Sequence, residues 1–246
     1  MNIVSNAAIN RLALGATAAV PGQAFLIRLM AWLVVAILCF TGSAANAANP
    51  DDIWVFIKND RAGDVKALLA AGVDPNAKTK MGNSILMQSV RDGAWNSFDV
   101  VLANPKVDVN LANDYEETPL MYVALVGDLP RAKALVARGA QINKLGWTPL
   151  HYAAVKGNLD MVKYLLANEA MPNAPSPDGD SPLMMAVQSG NTQVVQTLIN
   201  AGGDPAAVNQ KGIDAIDIAR QKGSADLASA MENIVKNRRA NQQKPN

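Results

Sequence analysis

Residues 146–173 read GWTPLHYAAVKGNLDMVKYLLANEAMPN, and this stretch decides the fold. Thr148 stands where a hydroxyl accepts the unpaired amide hydrogens of a helix start, and Pro149 follows where its missing N–H does no harm. Ala153 and Ala154 are small enough to admit a close neighbour, and Gly157 supplies the unusual backbone geometry of a turn. Beyond the turn, Leu159, Val162, Leu165 and Leu166 fall at helical spacing. The stretch therefore predicts two short helices around a glycine turn, with one apolar face to bury.

The same pattern recurs along the chain. Gly93, Gly127, Gly157, Gly190 and Gly223 are spaced by 34, 30, 33 and 33 residues. Measured from the TPL column, units begin at Asp51, Ser84, Thr118, Thr148, Ser181 and Asp214. A period near 33 residues with TPLH at Thr148–His151 resembles the ankyrin-repeat family. The resemblance implies an all-α ankyrin-repeat solenoid of about six helix-turn-helix repeats with short hairpin fingers, over residues 48–236. It also implies that His151 makes a structural hydrogen bond between neighbouring units.

Other columns are read with the same register. Trp95, Phe98, Val101 and Leu102 match the apolar positions of the second helix and are expected in the core, not at a cofactor. Asn76, Asn110, Asn143 and Asn173 end their units, where Asn tolerates turn geometry and bonds locally to backbone. The end units depart from the pattern, as terminal caps must. Asp60 replaces the turn glycine in the first, and the last reads DAIDIARQKG. Residues 237–246 are expected to form a polar, frayed tail.

The first 48 residues differ in character. They hold Arg11 and Arg28 but no acid, then the apolar run LMAWLVVAILCF at residues 29–40 and Ala45-Asn46-Ala47. This is the pattern of a secretory signal spanning 1–47 and cleaved after Ala47. The apolar run is shorter than the roughly 20 residues that span a bilayer. The alternative is an uncleaved anchor, giving a membrane-tethered, envelope-associated structural protein. Leu38 and Phe40 around Cys39 do not suit a lipoprotein site, and a start at Met30 would remove both arginines. The expected location is periplasmic or secreted, with membrane contact only during export.

Composition narrows the function. The 246 residues are half apolar and carry a net charge of +1, so nucleic acid, which requires a basic face, is not the expected partner. Removing Arg11 and Arg28 from the 22 basic residues leaves 20 against 21 acidic ones in the mature chain. The single cysteine lies in the leader, which leaves the mature chain without disulfides, thiolate metal sites or a cysteine nucleophile. His151 is the only histidine, so neither a zinc site nor a Cys-His pair can be assembled. Glu116-Glu117 and Asp178-Gly179-Asp180 fall at finger tips and read as solvated turn residues. No enzyme activity, cofactor or metal is expected.

A monomeric binding scaffold with an unidentified protein partner is the expectation. If it binds as ankyrin arrays do, contacts come from finger tips and from exposed positions late in each first helix. In repeats three and four these contribute Tyr115, Leu125, Val126, Trp147 and Val155 as an apolar patch on the concave face. The finger Lys144–Trp147 is three residues shorter than Ala174–Asp180, which predicts a notch beside that patch.

Overall fold

The computed structural model describes residues 49–242. The predicted leader, its cleavage point and the alternative anchor lie outside the described residues. Six helix pairs follow one another: α1 (Asp52–Lys58) and α2 (Ala62–Ala70), α3 (Ile85–Asp92) and α4 (Trp95–Leu102), α5 (Pro119–Val126) and α6 (Leu129–Ala137). The series continues with α7 (Pro149–Lys156) and α8 (Leu159–Ala167), α9 (Pro182–Ser189) and α10 (Thr192–Asn200), α11 (Ala215–Gln221) and α12 (Ala225–Gln242). The fold is an all-α repeat solenoid. Among the described residues no helix is long and apolar enough to cross a membrane.

Three of the first helices start with the expected side-chain cap, whereas the Thr148 hydroxyl departs from that expectation and pairs with His151 Nδ1 at 2.9 Å instead of an amide. Ser84 and Ser181 accept from the amides of Met87 and Met184 at 3.3 Å, and Asp214 accepts from Asp217 at 2.8 Å. Gly157 ends α7 in the left-handed region at φ +70°, and a Cβ there would come within 3.0 Å of Asn191. That asparagine donates to the Gly157 carbonyl at 2.9 Å, so the turn needs glycine both for its torsion and for the approach of the next repeat.

The core is made between repeats. Leu150, Ala153, Ala154, Val162 and Leu165 are buried, as are Phe98 and Val101 in the second repeat. Trp95 is only half-buried; it packs edge-on against Phe98 at 6.2 Å, and the Arg131 guanidinium of the third repeat covers its ring. Through repeats three to five the first helices pack closely on one another, while the second helices stand further apart. Alanines at the contact allow this, and closer packing along one row curves the array toward the first helices. The concave face is therefore the first-helix face.

Polar side chains reinforce the stack at both edges. The four unit-ending asparagines do not bond locally, as their turn positions suggested; each reaches across to the next repeat. Asn76 accepts from the Asp108 amide at 2.7 Å and donates to the Lys106 carbonyl at 2.9 Å. Asn110, Asn143 and Asn173 make the same pair of bonds, to Gln141 and Gly139, to Met171 and Glu169, and to Asp204 and Gly202.

His151 is fully buried, and the groups around it define its tautomer. The Thr148 amide donates to Nδ1 at 3.2 Å, so that nitrogen is unprotonated, and Nε2–H donates to the Asp180 carbonyl at 3.0 Å. The ring thus ties repeat four to the finger entering repeat five. Burial pushes its pKa below the ordinary value, outweighing the Asp180 carbonyl, which favours the cation.

The ends depart from the repeat in informative ways. Asp60, at φ +48°, accepts from the amides of Asn96 and Ser97 at 3.3 and 2.8 Å, and so caps α4 from the neighbouring repeat. Ala94, the residue before α4, has no side chain able to do this. At the other end the chain differs from the expected frayed tail. Helix α12 continues to Gln242, and Arg238 donates to the Ile199 and Gly203 carbonyls at 2.9 and 2.8 Å, closing the exposed end of α10.

Asp60→Ala should therefore lower stability by about 1 kcal/mol, the loss of a helix cap, in denaturant unfolding. Asp60→Asn, which keeps an acceptor, should recover most of that loss. His151 gives a second test. As pH falls below about 6.5, the unfolded chain binds a proton that the native ring resists, so stability present above that pH is lost as pH drops toward the lowered native value. His151→Gln should flatten this part of the pH–stability curve.

Candidate protein-binding groove

Fingers and first helices together shape the concave face. Four of the fingers close with one repeated device. Thr79, Asn113, Ser176 and Asn209 each donate their amide to the carbonyl four residues on, at 2.9 Å in every case. Their side-chain oxygens accept the returning amides, as Asn113 does from Tyr115 and Glu117 at 2.9 and 3.0 Å. The finger Lys144–Trp147 is too short for this loop. Its Leu145 is almost wholly exposed, and Lys144 bonds back to the Glu116 carbonyl.

Two recesses open on this face, with Trp147 and Tyr152 lining both. The smaller, about 220 Å³, is lined by Leu125, Trp147, His151, Tyr152, Val155 and Met185. The larger, about 430 Å³, includes Tyr115, Glu117, Tyr122, Trp147, Tyr152 and Arg91 among its walls. Trp147 stands edge-on to both Tyr152 and His151, at ring separations of 6.2 and 5.3 Å, which fixes it as the divider.

Of the five residues expected to form the patch, Leu125, Trp147 and Val155 meet in the smaller recess. Tyr115 is 71% exposed and lines the larger one. Val126 is 53% exposed at the last turn of α5 and lines neither. None of the five is buried.

Glu117 corrects the sequence expectation. It is not a solvated tip residue, although Glu116 beside it is exposed. Its carboxylate is half-buried and accepts from Tyr122 Oη at 2.9 Å, from Asn113 Nδ2 at 2.8 Å and from Tyr152 Oη. Burial alone would raise its pKa, but these three donors and the nearby Arg91 charge outweigh it and hold the carboxyl below the ordinary value. Burial and the same carboxylate push the Tyr152 phenol well above its usual range. Asp180 likewise turns inward, accepting from Asn209 Nδ2 at 2.7 Å. Asp178 is exposed at its tip, as expected.

Tyr122 and Tyr152, absent from the expected patch, each stand four residues after the threonine that opens their unit. Val55, Gln88, Met185 and Ile218 occupy the same column in the other repeats. Chemically, the site is suited to contact. Glu117 is held as an anion with its oxygens engaged, and His151 has both ring nitrogens committed. Among the described residues no cluster of three or more metal-ligating side chains occurs.

A stack of helix pairs with an open, grooved first-helix face defines a helical repeat solenoid. Residues 53–144 and 94–176 match ankyrin repeats (three copies), and residues 178–210 match an ankyrin repeat. These matches span more than half the chain, which belongs to the ankyrin-repeat family. No individual curated protein matches it. Ankyrin repeats generally mediate protein–protein interaction and are typically non-enzymatic scaffolds.

The Glu117 network can be tested directly. Tyr152→Phe removes a donor from a half-buried carboxylate and should cost about 1–3 kcal/mol at neutral pH. Glu117 contributes stability above its unfolded pKa that is lost as pH falls through the lowered native value. The variant should therefore raise the Glu117 pKa, measured by carboxyl NMR titration, and weaken the acid dependence of unfolding.

Proposed function

We propose that this chain is an exported ankyrin-repeat scaffold that binds a protein partner through the concave groove of repeats three and four. The carrying observation is the convergence of Leu125, Trp147 and Val155 on one solvent-open recess, with exposed Tyr115 on the adjoining one. Large aromatic anchors in partly formed pockets are where binding energy concentrates at protein interfaces. The fingers and first helices hold these side chains on a rigid frame, which limits the ordering cost of binding.

Export rests on Arg11 and Arg28, the apolar run at residues 29–40 and Ala45-Asn46-Ala47. In this reading the mature chain begins at Ala48 and works as a monomer in the periplasm or outside the cell. It carries no cysteine, so an oxidising compartment leaves its covalent structure unchanged.

Affinity capture from a periplasmic extract tests both parts, with the chain from Ala48 as bait and a Tyr115→Ala/Trp147→Ala/Val155→Ser variant as control. The native bait should retain a protein that the variant loses while keeping its helical circular dichroism. Retention by both baits would exclude the groove. N-terminal sequencing of the exported protein should begin at Ala48, and a retained leader would support the tethered alternative instead.

A further inference from the structure

The two recesses differ in chemistry, and that difference points to the kind of partner segment the groove receives. Resting on the reading that the groove binds protein, we propose that the larger recess takes a lysine or arginine side chain of the partner, beside Glu117. The smaller recess takes a large apolar side chain close by in the same extended segment.

Four aromatic residues, Tyr115, Tyr122, Trp147 and Tyr152, line the larger recess together with one carboxylate. Aromatic faces attract cations, Trp most strongly, and the attraction grows when the cation leaves bulk water. Glu117 adds a full negative charge that is half-buried and less screened than a surface carboxylate. Its hydrogen bonds come from Tyr122, Tyr152 and Asn113, so the anion is fixed in place before any partner arrives.

Arg91 lines the same recess and acts on Glu117 through its charge, but it is exposed and makes no ion pair with it. It therefore competes with the partner's cation for the same field. The smaller recess offers the complementary surface. Leu125, Val155 and Met185 supply aliphatic walls, and at about 220 Å³ it is sized for a single side chain rather than a whole ligand. Because Trp147 and Tyr152 wall both recesses, their two occupants must lie close together on the partner.

The probes are acetylated, amidated alanine peptides carrying one phenylalanine and one variable residue, placed either adjacent or one residue apart. The variable residue is lysine, norleucine or glutamate, and binding is read from the Trp147 indole N–H signal in NMR titrations. The lysine peptide at one of the two spacings should bind about ten-fold tighter than its norleucine counterpart, and the glutamate peptide weakest. Glu117→Gln should erase the lysine preference, and Arg91→Ala, at an exposed position, should enlarge it.

Equal or tighter binding of the norleucine or glutamate peptide overturns the proposal, as does a Trp147 signal that no peptide shifts. An Arg91→Ala variant with an unchanged or reduced lysine preference overturns it even if Glu117→Gln unfolds the repeat. A captured partner that is lost by the triple variant but held equally by Glu117→Gln sinks the cation recess and leaves the groove intact. No groove-dependent partner at all sinks the binding reading itself.

Discussion

Units in this chain depend on their neighbours, because a pair of helices seven to nine residues long, as in all but the last unit, cannot bury its apolar face alone. The contact that resolves this is repeat on repeat. Ala153 and Ala154 permit the first helices to approach, and the asparagines at 76, 110, 143 and 173 each exchange two hydrogen bonds with the next unit's backbone. Each rung gives one backbone donor and one backbone acceptor of the next unit a fixed protein partner in place of water. The spacing of the units, and with it the geometry of the concave face, follows from these bonds.

The groove inherits its precision from that ladder. Trp147 can divide two recesses because its finger is tied at both ends: Asn143 bonds to the next unit, and Thr148 opens a helix anchored through His151 to Asp180. Shortening this finger removed the closed loop found in its neighbours and left the tryptophan between them. Glu117, brought back from the preceding finger, then meets Tyr122 of its own repeat and Tyr152 of the next. Two tyrosines from successive repeats converge on one carboxylate only because the units hold a fixed register.

What could be read in advance follows from the range of the interactions. Helix starts, glycine turns and buried columns are local, governed by residues within one turn of each other, and the chain declares them openly. The asparagine bonds join residues 26 to 32 positions apart, so reasoning from turn preference alone assigned those side chains to their own backbone. Glu117 departs from its expected exposure for the same reason. Its hydroxyl donor on Tyr152 lies 35 positions away, and an acidic pair at a finger tip looks solvated until the next repeat is in place. The end of the chain repeats the lesson, since Arg238 earns its helix only by reaching the carbonyls of α10. The tyrosines stand out only column by column, where successive units carry the same residue at the same place.

That columnwise view also separates what folds from what binds. The threonine or serine, the proline, the buried leucine and the turn glycine recur because each answers a need that every unit shares. The position four residues after the cap varies instead: it holds Val55, Gln88, Tyr122, Tyr152, Met185 and Ile218 in turn. Its side chain faces the groove in the middle repeats, where Tyr122, Tyr152 and Met185 line the recesses. Stacking therefore tolerates amide, aromatic, thioether and aliphatic groups at this column, which joins the core at Met185 and Ile218 and opens to the groove at Tyr122 and Tyr152. In this chain the two tyrosines fall in successive repeats, and both reach the Glu117 carboxylate that turns in from the finger before them.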